Sequence, residues 1–186
     1  FSSEFEGTRV PTLRELIDLM NEQGLNANIE LKPHESGAEG TLRLVEEVAT
    51  ELERLDGGRE VIVSSFSPLT LAALHGRAPW LPLGVLYEPG AVRPDWKSVL
   101  ELTGAGAIHL ADQDATAENV AAAHKAGYAV NVYTLNDPDR AWELMDLGVD
   151  GIFTDLVGEM VELAAAHEAG SSQSPTAGAG PQDTSD

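Results

Sequence analysis

The stretch AVNVYTLNDPDRAWELMDLGVDGIFT, residues 129–154, contains one complete strand–helix–strand unit and decides the fold class. Ala129–Thr134 is a short run rich in β-branched and aromatic residues, which is typical of a buried strand. Asp137 and the proline after it commonly open a helix, and Gly148 is the residue type that commonly ends one. A second apolar run, Gly151–Thr154, follows at once. This order predicts a parallel βαβ unit.

The same unit repeats along the chain. Short apolar runs begin near residues 27, 61, 83, 107, 129 and 151, so most steps are about 22–24 residues, the length of one βα unit. A Rossmann-type sheet remains an alternative, although no G-x-G-x-x-G motif follows the first strand. The even spacing favours an α/β fold of the TIM (βα)8-barrel type, with about six of the eight βα units present. The predicted strands are Ala27–Leu31, Val61–Ser65, Leu83–Tyr87, Ala107–Leu110, Ala129–Thr134 and Gly151–Thr154.

A helix is predicted before the first strand. Thr12 and Glu15 have the spacing of a capping box, and Gly24 follows as a helix stop. We expect this helix, Thr12–Asn21, to be the end of a further βα unit. An open sheet of six strands would then have two unpaired edges, which a closed barrel does not have.

The composition is strongly acidic, with 31 acidic against 11 basic residues and a formal net charge of −20. This balance argues against nucleic acid and anionic membranes as partners, because both need a cationic surface. No apolar run is long enough to span a bilayer, and no signal peptide is visible. The absence of cysteine excludes disulfides, thiol nucleophiles and cysteine-ligated zinc, and it fits a cytoplasmic protein. We expect carboxylates on exposed helix faces, such as Glu46 and Glu51, to be solvated.

The two ends of the chain differ from the rest. Residues 169–186 contain no large apolar side chain. We therefore expect a partial barrel domain over residues 1–168 and a disordered tail over residues 169–186. Because the first residue is Phe1 and not methionine, we also expect the sequence to be part of a longer one.

The carboxyl ends of the predicted strands carry polar and aromatic side chains, and this is where barrel active sites lie. Glu30 and Lys32 share one face of the first strand, while Leu31 takes the other. If Leu31 packs under the helices, both charges point into the barrel, where each needs a partner or a ligand. A carboxylate there suits Mg²⁺ or Ca²⁺, and the ammonium suits a phosphate oxygen. The alternative is an ion pair between Glu30 and Lys32 that only fills the barrel mouth.

The chain has five histidines. His75, His124 and His167 fall on predicted helices, where we expect solvated surface positions. His34 follows the first strand and can approach the site from a loop. His109 ends the fourth strand, where it can line a pocket.

Four motifs, in order, resemble those of the glycerophosphodiester phosphodiesterases, most closely the soluble cytoplasmic bacterial branch. They are NIELKP at 28–33, VSSF at 63–66, VNVYTLN at 130–136 and GVDGIFTD at 148–155. The likeness covers about residues 5–165. It implies a (βα)8 barrel that hydrolyses glycerophosphodiesters to sn-glycerol 3-phosphate and an alcohol such as choline or ethanolamine, in lipid and glycerol metabolism. It also implies a divalent cation held by carboxylates, with two histidines as general acid and base.

Position by position, the resemblance implies that Glu30 ligates the cation, Mg²⁺ or Ca²⁺, and that Lys32 neutralises charge at the phosphate. Phe66 and Tyr133 would wall the substrate pocket; most members have tryptophan where this chain has Tyr133. His109 is a further pocket residue that matches neither catalytic histidine.

The main departure from the family pattern concerns the acid–base residues. The family's His-Arg-Gly strand, its Glu-x-Asp pair and its His-Asp motif have no match in the sequence, so both general acid/base histidines are absent. We therefore expect these 186 residues alone to be weak or inactive as an enzyme.

Two other functions stay open at this point. Lys32 lies near a strand end and could form a Schiff base, which would make the chain an aldolase-type lyase barrel. Alternatively, the chain carries the family fold as a catalytically inert fragment. The oligomeric state and the preferred alcohol have no signal in the sequence.

Overall fold

The computed structural model describes residues 7–32 and 37–171, in which helices alternate with short strands. The strands are β1 (Ala27–Glu30), β2 (Val61–Ser65), β3 (Leu83–Leu86), β4 (Ala107–Ala111), β5 (Ala129–Tyr133) and β6 (Gly151–Ile152). The α-helices are α1 (Leu13–Gln23), α2 (Gly37–Leu52), α3 (Pro68–Arg77), α4 (Trp96–Thr103), α5 (Ala117–Lys125), α6 (Pro138–Asp146) and α7 (Val157–Ser171). A 3₁₀ turn, Asp112–Asp114, follows β4.

The six strands described form one parallel sheet in chain order, β1-β2-β3-β4-β5-β6. The sheet curls into a half-barrel with helices on its convex side. β1 and β6 each pair with one neighbour only, so the described sheet has two free edges. The prediction of a partial TIM-type barrel with six βα units is confirmed.

Local sequence signals explain where the helices begin and end. The Thr12 hydroxyl accepts from the Glu15 N–H, and the Glu15 carboxylate accepts from the Thr12 N–H, so the predicted capping box is present. Gly24 ends α1 with a φ of 72°, a left-handed conformation that favours glycine. The Asp137 carboxylate accepts from the first free N–H groups of α6.

The last two elements differ from the prediction. The predicted strand Gly151–Thr154 is shorter than expected, because β6 has only two residues. The Phe153 N–H still donates to the Val132 carbonyl at 2.8 Å, so backbone pairing continues just beyond β6. α7 runs through Ser171 and therefore enters the region predicted as a tail. The rest of that prediction, residues 172–186, lies outside the described residues.

The two faces of the sheet carry different side chains. The convex face packs against the helices and forms the apolar core with Leu31, Val63, Val85, Leu110 and Val132. The concave face instead carries a row of four polar side chains, Asn28, Ser64, His109 and Asn131. Asn28 Nδ2 donates to Ser64 Oγ, and Asn131 Nδ2 lies against His109 Nε2, each at 3.0 Å. Branched aliphatic residues dominate this layer in most barrels.

The helix carboxylates are not simply solvated. Glu46 on α2 accepts from Arg77 on α3 at 2.7 Å, and Glu51 on α2 accepts from Arg14 on α1 at 2.5 Å. The expectation of a solvated carboxylate holds for Glu46, whose side chain is 58% exposed, whereas Glu51, 19% exposed, is less solvated than expected. None of the helices described is both long and apolar enough to cross a membrane.

Candidate active site

Glu30 and Lys32 lie at the carboxyl end of β1, at the rim of the half-barrel. Leu31 between them is 4% exposed and packs in the apolar core, so the condition for placing the two charges on the concave side is met. Both charged residues are exposed, and they form no ion pair with each other. The alternative of a buried Glu30–Lys32 pair is therefore not supported, and both charges are accessible to a ligand.

Tyr133 forms the opposite part of the rim, at the end of β5. Its hydroxyl donates to the Tyr87 carbonyl across β4, where the facing residue is the small, buried Ala111. The edge of its ring meets Phe66 at a centroid distance of 5.9 Å and an interplanar angle of 85°. Phe66 and Tyr133, both predicted as pocket walls, are thus in direct contact.

The electrostatics show which carboxylates face this ring. Burial raises the pKa of Tyr133 to about 12, and the negative charges of Glu88, Asp114 and Glu30 add to the effect. The charge of Glu30 is therefore felt at Tyr133, on the same side of the sheet. The phenol is neutral at physiological pH, so its hydroxyl acts as a donor.

His109 is fully buried, one layer below the rim on the concave face of β4. Its ring lies 5.3 Å from the Phe153 ring and beside the amide of Asn131. A Cβ on Gly84 of β3 would collide with the imidazole, so the missing side chain of Gly84 makes room for it. Burial lowers the pKa of His109 to about 4, and its Nδ1 has no partner among the described residues. His109 therefore supports the site from below and has no exposed surface of its own.

Two hydrogen-bonded loops complete the rim, and sequence reasoning singled out neither. Asp114, in the 3₁₀ turn after β4, accepts from the Gly90 N–H at 2.8 Å. Arg140 of α6 donates to the Asp112 carboxylate at 2.8 Å and to the Ala115 carbonyl at 3.0 Å. No local motif signals these contacts, because the partners are more than 20 residues apart.

The remaining histidines are not at the rim. His75 has a buried Nδ1 with no partner in the described part of the chain. His124 lies 2.9 Å from an oxygen of Asp150, and His167 lies 2.8 Å from an oxygen of Asp146. His124 is exposed, as expected, whereas His75 and His167 are half-buried, because each packs against a neighbouring element. The position predicted for His34 lies outside the described residues.

The described residues do not form a complete metal site. Over residues 7–32 and 37–171, no group of three or more acidic or histidine side chains is placed to hold a metal ion. Glu30 is one accessible carboxylate, whereas Mg²⁺ and Ca²⁺ take six or more oxygen ligands. The donor set present here therefore does not by itself fit a divalent cation.

Comparison with known proteins gives consistent matches. The model of the glycerophosphoryl diester phosphodiesterase family matches residues 1–159. A glycerophosphodiester phosphodiesterase of Caldanaerobacter subterraneus is 30% identical over 155 residues, which are 83% of this chain and 62% of that protein. One of Bacillus altitudinis is 30% identical over 166 residues, 88% of this chain and 66% of that protein. The chain thus spans less than two thirds of either relative.

A solved structure shows the same fold. The phosphodiesterase of Oleispira antarctica, in complex with its product sn-glycerol-3-phosphate, superposes with a TM-score of 0.75. The two sequences are 24% identical, and the match covers 83% of this chain and 61% of that one.

Proposed function

We propose, on the premise that this chain belongs to the glycerophosphoryl diester phosphodiesterase family, that the whole protein hydrolyses glycerophosphodiesters to sn-glycerol 3-phosphate and an alcohol. The observation that carries the proposal is the rim, where Glu30 and Lys32 are accessible at the end of β1 and the charge of Glu30 acts on Tyr133, which contacts Phe66. A phosphodiester with a small polyol needs a positive group for its phosphate and a wall for its carbon skeleton. The rim offers both.

Each predicted residue has a role in this proposal. Lys32 neutralises charge at the phosphate, because a flexible ammonium binds phosphate oxygens as a point charge. Phe66 and Tyr133 wall the pocket, with the Tyr133 ring fixed by the Tyr87 carbonyl. His109 packs against the Phe153 ring beneath the rim and restricts its movement.

The cofactor of the proposed reaction is a divalent cation, Mg²⁺ or Ca²⁺, for which Glu30 would supply one ligand. The cation would supply the positive charge that a dianionic transition state needs. The described residues provide no full ligand set for it.

The acid–base groups set the activity expected of this chain alone. None of its histidines matches the family's general acid or base, and each missing group costs about 10²–10⁴ in rate. We therefore expect residues 1–186 to hydrolyse glycerophosphocholine barely or not at all. Clear turnover by these 186 residues that Glu30→Ala abolishes would contradict this expectation.

In the whole protein, the proposal is tested by substitutions at the rim. We expect Glu30→Ala to abolish chelator-sensitive turnover of glycerophosphocholine. We expect Lys32→Ala to affect kcat more than it affects fold stability, which is measured by the urea midpoint. The exposed Glu47→Ala on the outer face of α2 removes a carboxylate far from the rim and is the matched control. Near-normal rates in both rim variants would refute the assigned roles.

Among the alternatives, one is favoured by a specific observation. The lack of a complete metal site among the described residues supports a catalytically inert fragment, and the turnover assay above decides it. The Schiff-base alternative gains no support, because Lys32 is exposed and Schiff-base lysines are usually activated by desolvation. Borohydride trapping with a carbonyl substrate would revive it.

We further propose a cytoplasmic location and a role in lipid and glycerol metabolism, with no nucleic acid or membrane as partner. The proposal is supported by the net charge of −20 and the absence of cysteine. Fractionation of cells that express the whole protein, with an antibody against it, would test the location.

A further inference from the structure

Asn136 joins the loop after β5 to the loop after β6 through its whole side-chain amide. Its Nδ2 donates to Asp155 Oδ2 at 2.9 Å. Its Oδ1 accepts from Thr154 Oγ1 at 3.0 Å and from the Asp155 N–H at 2.9 Å. We call these three residues, Asn136, Thr154 and Asp155, the clasp. Only an amide can donate to the carboxylate and accept from the two donors at the same time.

The clasp matters because β6 is a weak edge strand. It has two residues and pairs with β5 only. Beyond it, the backbone bonds that join the two loops are those of Phe153 with Val132 and of Leu135 with Phe153, each 2.8 Å long. The side chain of Asn136 adds three more bonds at the next position. It therefore supplies a large share of the hydrogen bonds that hold this edge at the rim.

Two aromatic side chains are fixed by the backbone that the clasp joins. Tyr133 lies three residues before Asn136 and meets Phe66 on the concave face. Phe153 comes directly before Thr154 and rests on His109. If the two loops separate, each ring loses the backbone position that holds it against its partner, Phe66 for Tyr133 and His109 for Phe153.

We propose that Asn136 is a positioning residue, which acts through Tyr133 and Phe153 to set the shape of the substrate pocket. The inference rests on the proposed function only where it concerns turnover. The coupling between the clasp and Tyr133 is a property of the chain and is measurable without a substrate.

Charge gives a sharp way to break and repair the clasp. Asn136→Asp keeps the shape of the side chain but places a second carboxylate against Asp155 and removes the Nδ2 donor. Like charges in hydrogen-bond range repel each other. The double variant Asn136→Asp/Asp155→Asn exchanges the amide and the carboxylate between the two positions. A donor again faces an acceptor, and the net charge of the original pair is kept.

The first readout is fluorine NMR of the 186-residue chain, whose three tyrosines are labelled as 3-fluorotyrosine. We expect the Tyr133 resonance, assigned with Tyr133→Phe, to shift or broaden in Asn136→Asp and to return in the double variant. Tyr128 packs against Trp96 and is the internal reference, whose resonance stays in place. Gln23→Glu adds one charge at an exposed position at the end of α1, away from the rim and the clasp, and is the matched control.

The second readout is turnover of glycerophosphocholine by the whole protein. We expect Asn136→Asp to lower kcat/KM by about 10- to 100-fold, since misplacement of pocket walls by about 1 Å has effects of that size. The double variant should recover most of this loss, and Gln23→Glu should stay near the original rate.

The outcomes separate the two proposals. An unchanged Tyr133 resonance in Asn136→Asp, or a double variant that stays as perturbed as the single one, overturns the role of Asn136. If Asn136→Asp does not fold, Asp155→Ala replaces it, because it removes one of the three bonds and should give a smaller shift of the same resonance. Absence of turnover in the original whole protein refutes the proposed function, while the fluorine spectra still decide the role of the clasp.

Discussion

Replacing Gly84 with alanine tests the packing of the concave face. Gly84 lies on β3, and a Cβ there would collide with the imidazole of His109, a ring with no exposed surface into which it can retreat. Overpacking of a filled interior costs about 1–3 kcal/mol. For a domain of this size, that loss corresponds to a fall in Tm of about 2–12 °C.

The loss of stability from Gly84→Ala should depend on His109, because the imidazole is the group that the new methyl group would meet. His109→Ala alone should cost about 3–5 kcal/mol through the cavity that it leaves. In that background the new methyl group has room, so Gly84→Ala should cost less than about 0.5 kcal/mol. The coupling free energy between the two substitutions should therefore be about 1–3 kcal/mol.

The assay is urea unfolding at pH 7, followed by the fluorescence of the three tryptophans. Gly106→Ala, just before β4, is the control, because a Cβ there meets nothing within 4 Å. We expect it to be neutral or to stabilise the chain by about 0.4–1 kcal/mol. Additive losses from Gly84→Ala and His109→Ala would show that the ring does not occupy the space above Gly84, and would refute the packing described here.

Three further predictions concern titration and hydrogen bonding. Burial lowers the pKa of His109 to about 4 from 6.5, so the unfolded chain binds the proton first and stability falls as the pH drops from 6.5 to 4; His109→Gln should flatten this part of the curve of urea midpoint against pH. Burial acts to raise the pKa of Asp150, but hydrogen bonds from the Val130 N–H and from His124 outweigh it, so the pKa lies below the ordinary 3.8. The ionised carboxylate therefore stabilises the fold above pH 3.8, and this stabilisation is lost as the pH falls further. Asp150→Asn should therefore cost about 0.5–1.5 kcal/mol at pH 7 and lose less stability on acidification, measured by thermal unfolding at several pH values. Tyr133→Phe removes the bond to a backbone carbonyl and should lower the free energy of unfolding by about 0.5–1.5 kcal/mol, a loss that Tyr128→Phe should not reproduce.

The strands and helix ends could be predicted because their causes are local. The capping box of Thr12 and Glu15 and the cap of Asp137 depend on residues within one turn. The alternation around Leu31 placed Glu30 and Lys32 on the concave face for the same reason. The length of β6 could not be predicted this way, because the extent of a strand depends on its geometry against a partner, here β5, and not only on its own apolar residues.

The interior of the site depends on residues far apart in the chain. His109 looked like a pocket wall in sequence, because it lies near a strand end. Its burial depends on the missing side chain of Gly84 and on the amide of Asn131, each more than 20 residues away. Asp114 likewise has no signal in sequence, since its position at the rim follows from a bond to Gly90 on another loop.

The two borders of the half-barrel differ in a way that affects how copies of the chain meet. A row of free backbone N–H and C=O groups is a template on which another molecule can add a strand. The β6 border offers only two residues, and the β1 border ends in Glu30 and Lys32, charges that an added strand would strip of water. For these 186 residues, fibre growth along the described sheet is thereby discouraged, and with a net charge of −20 keeping molecules apart, their concentrated solutions should stay dispersed.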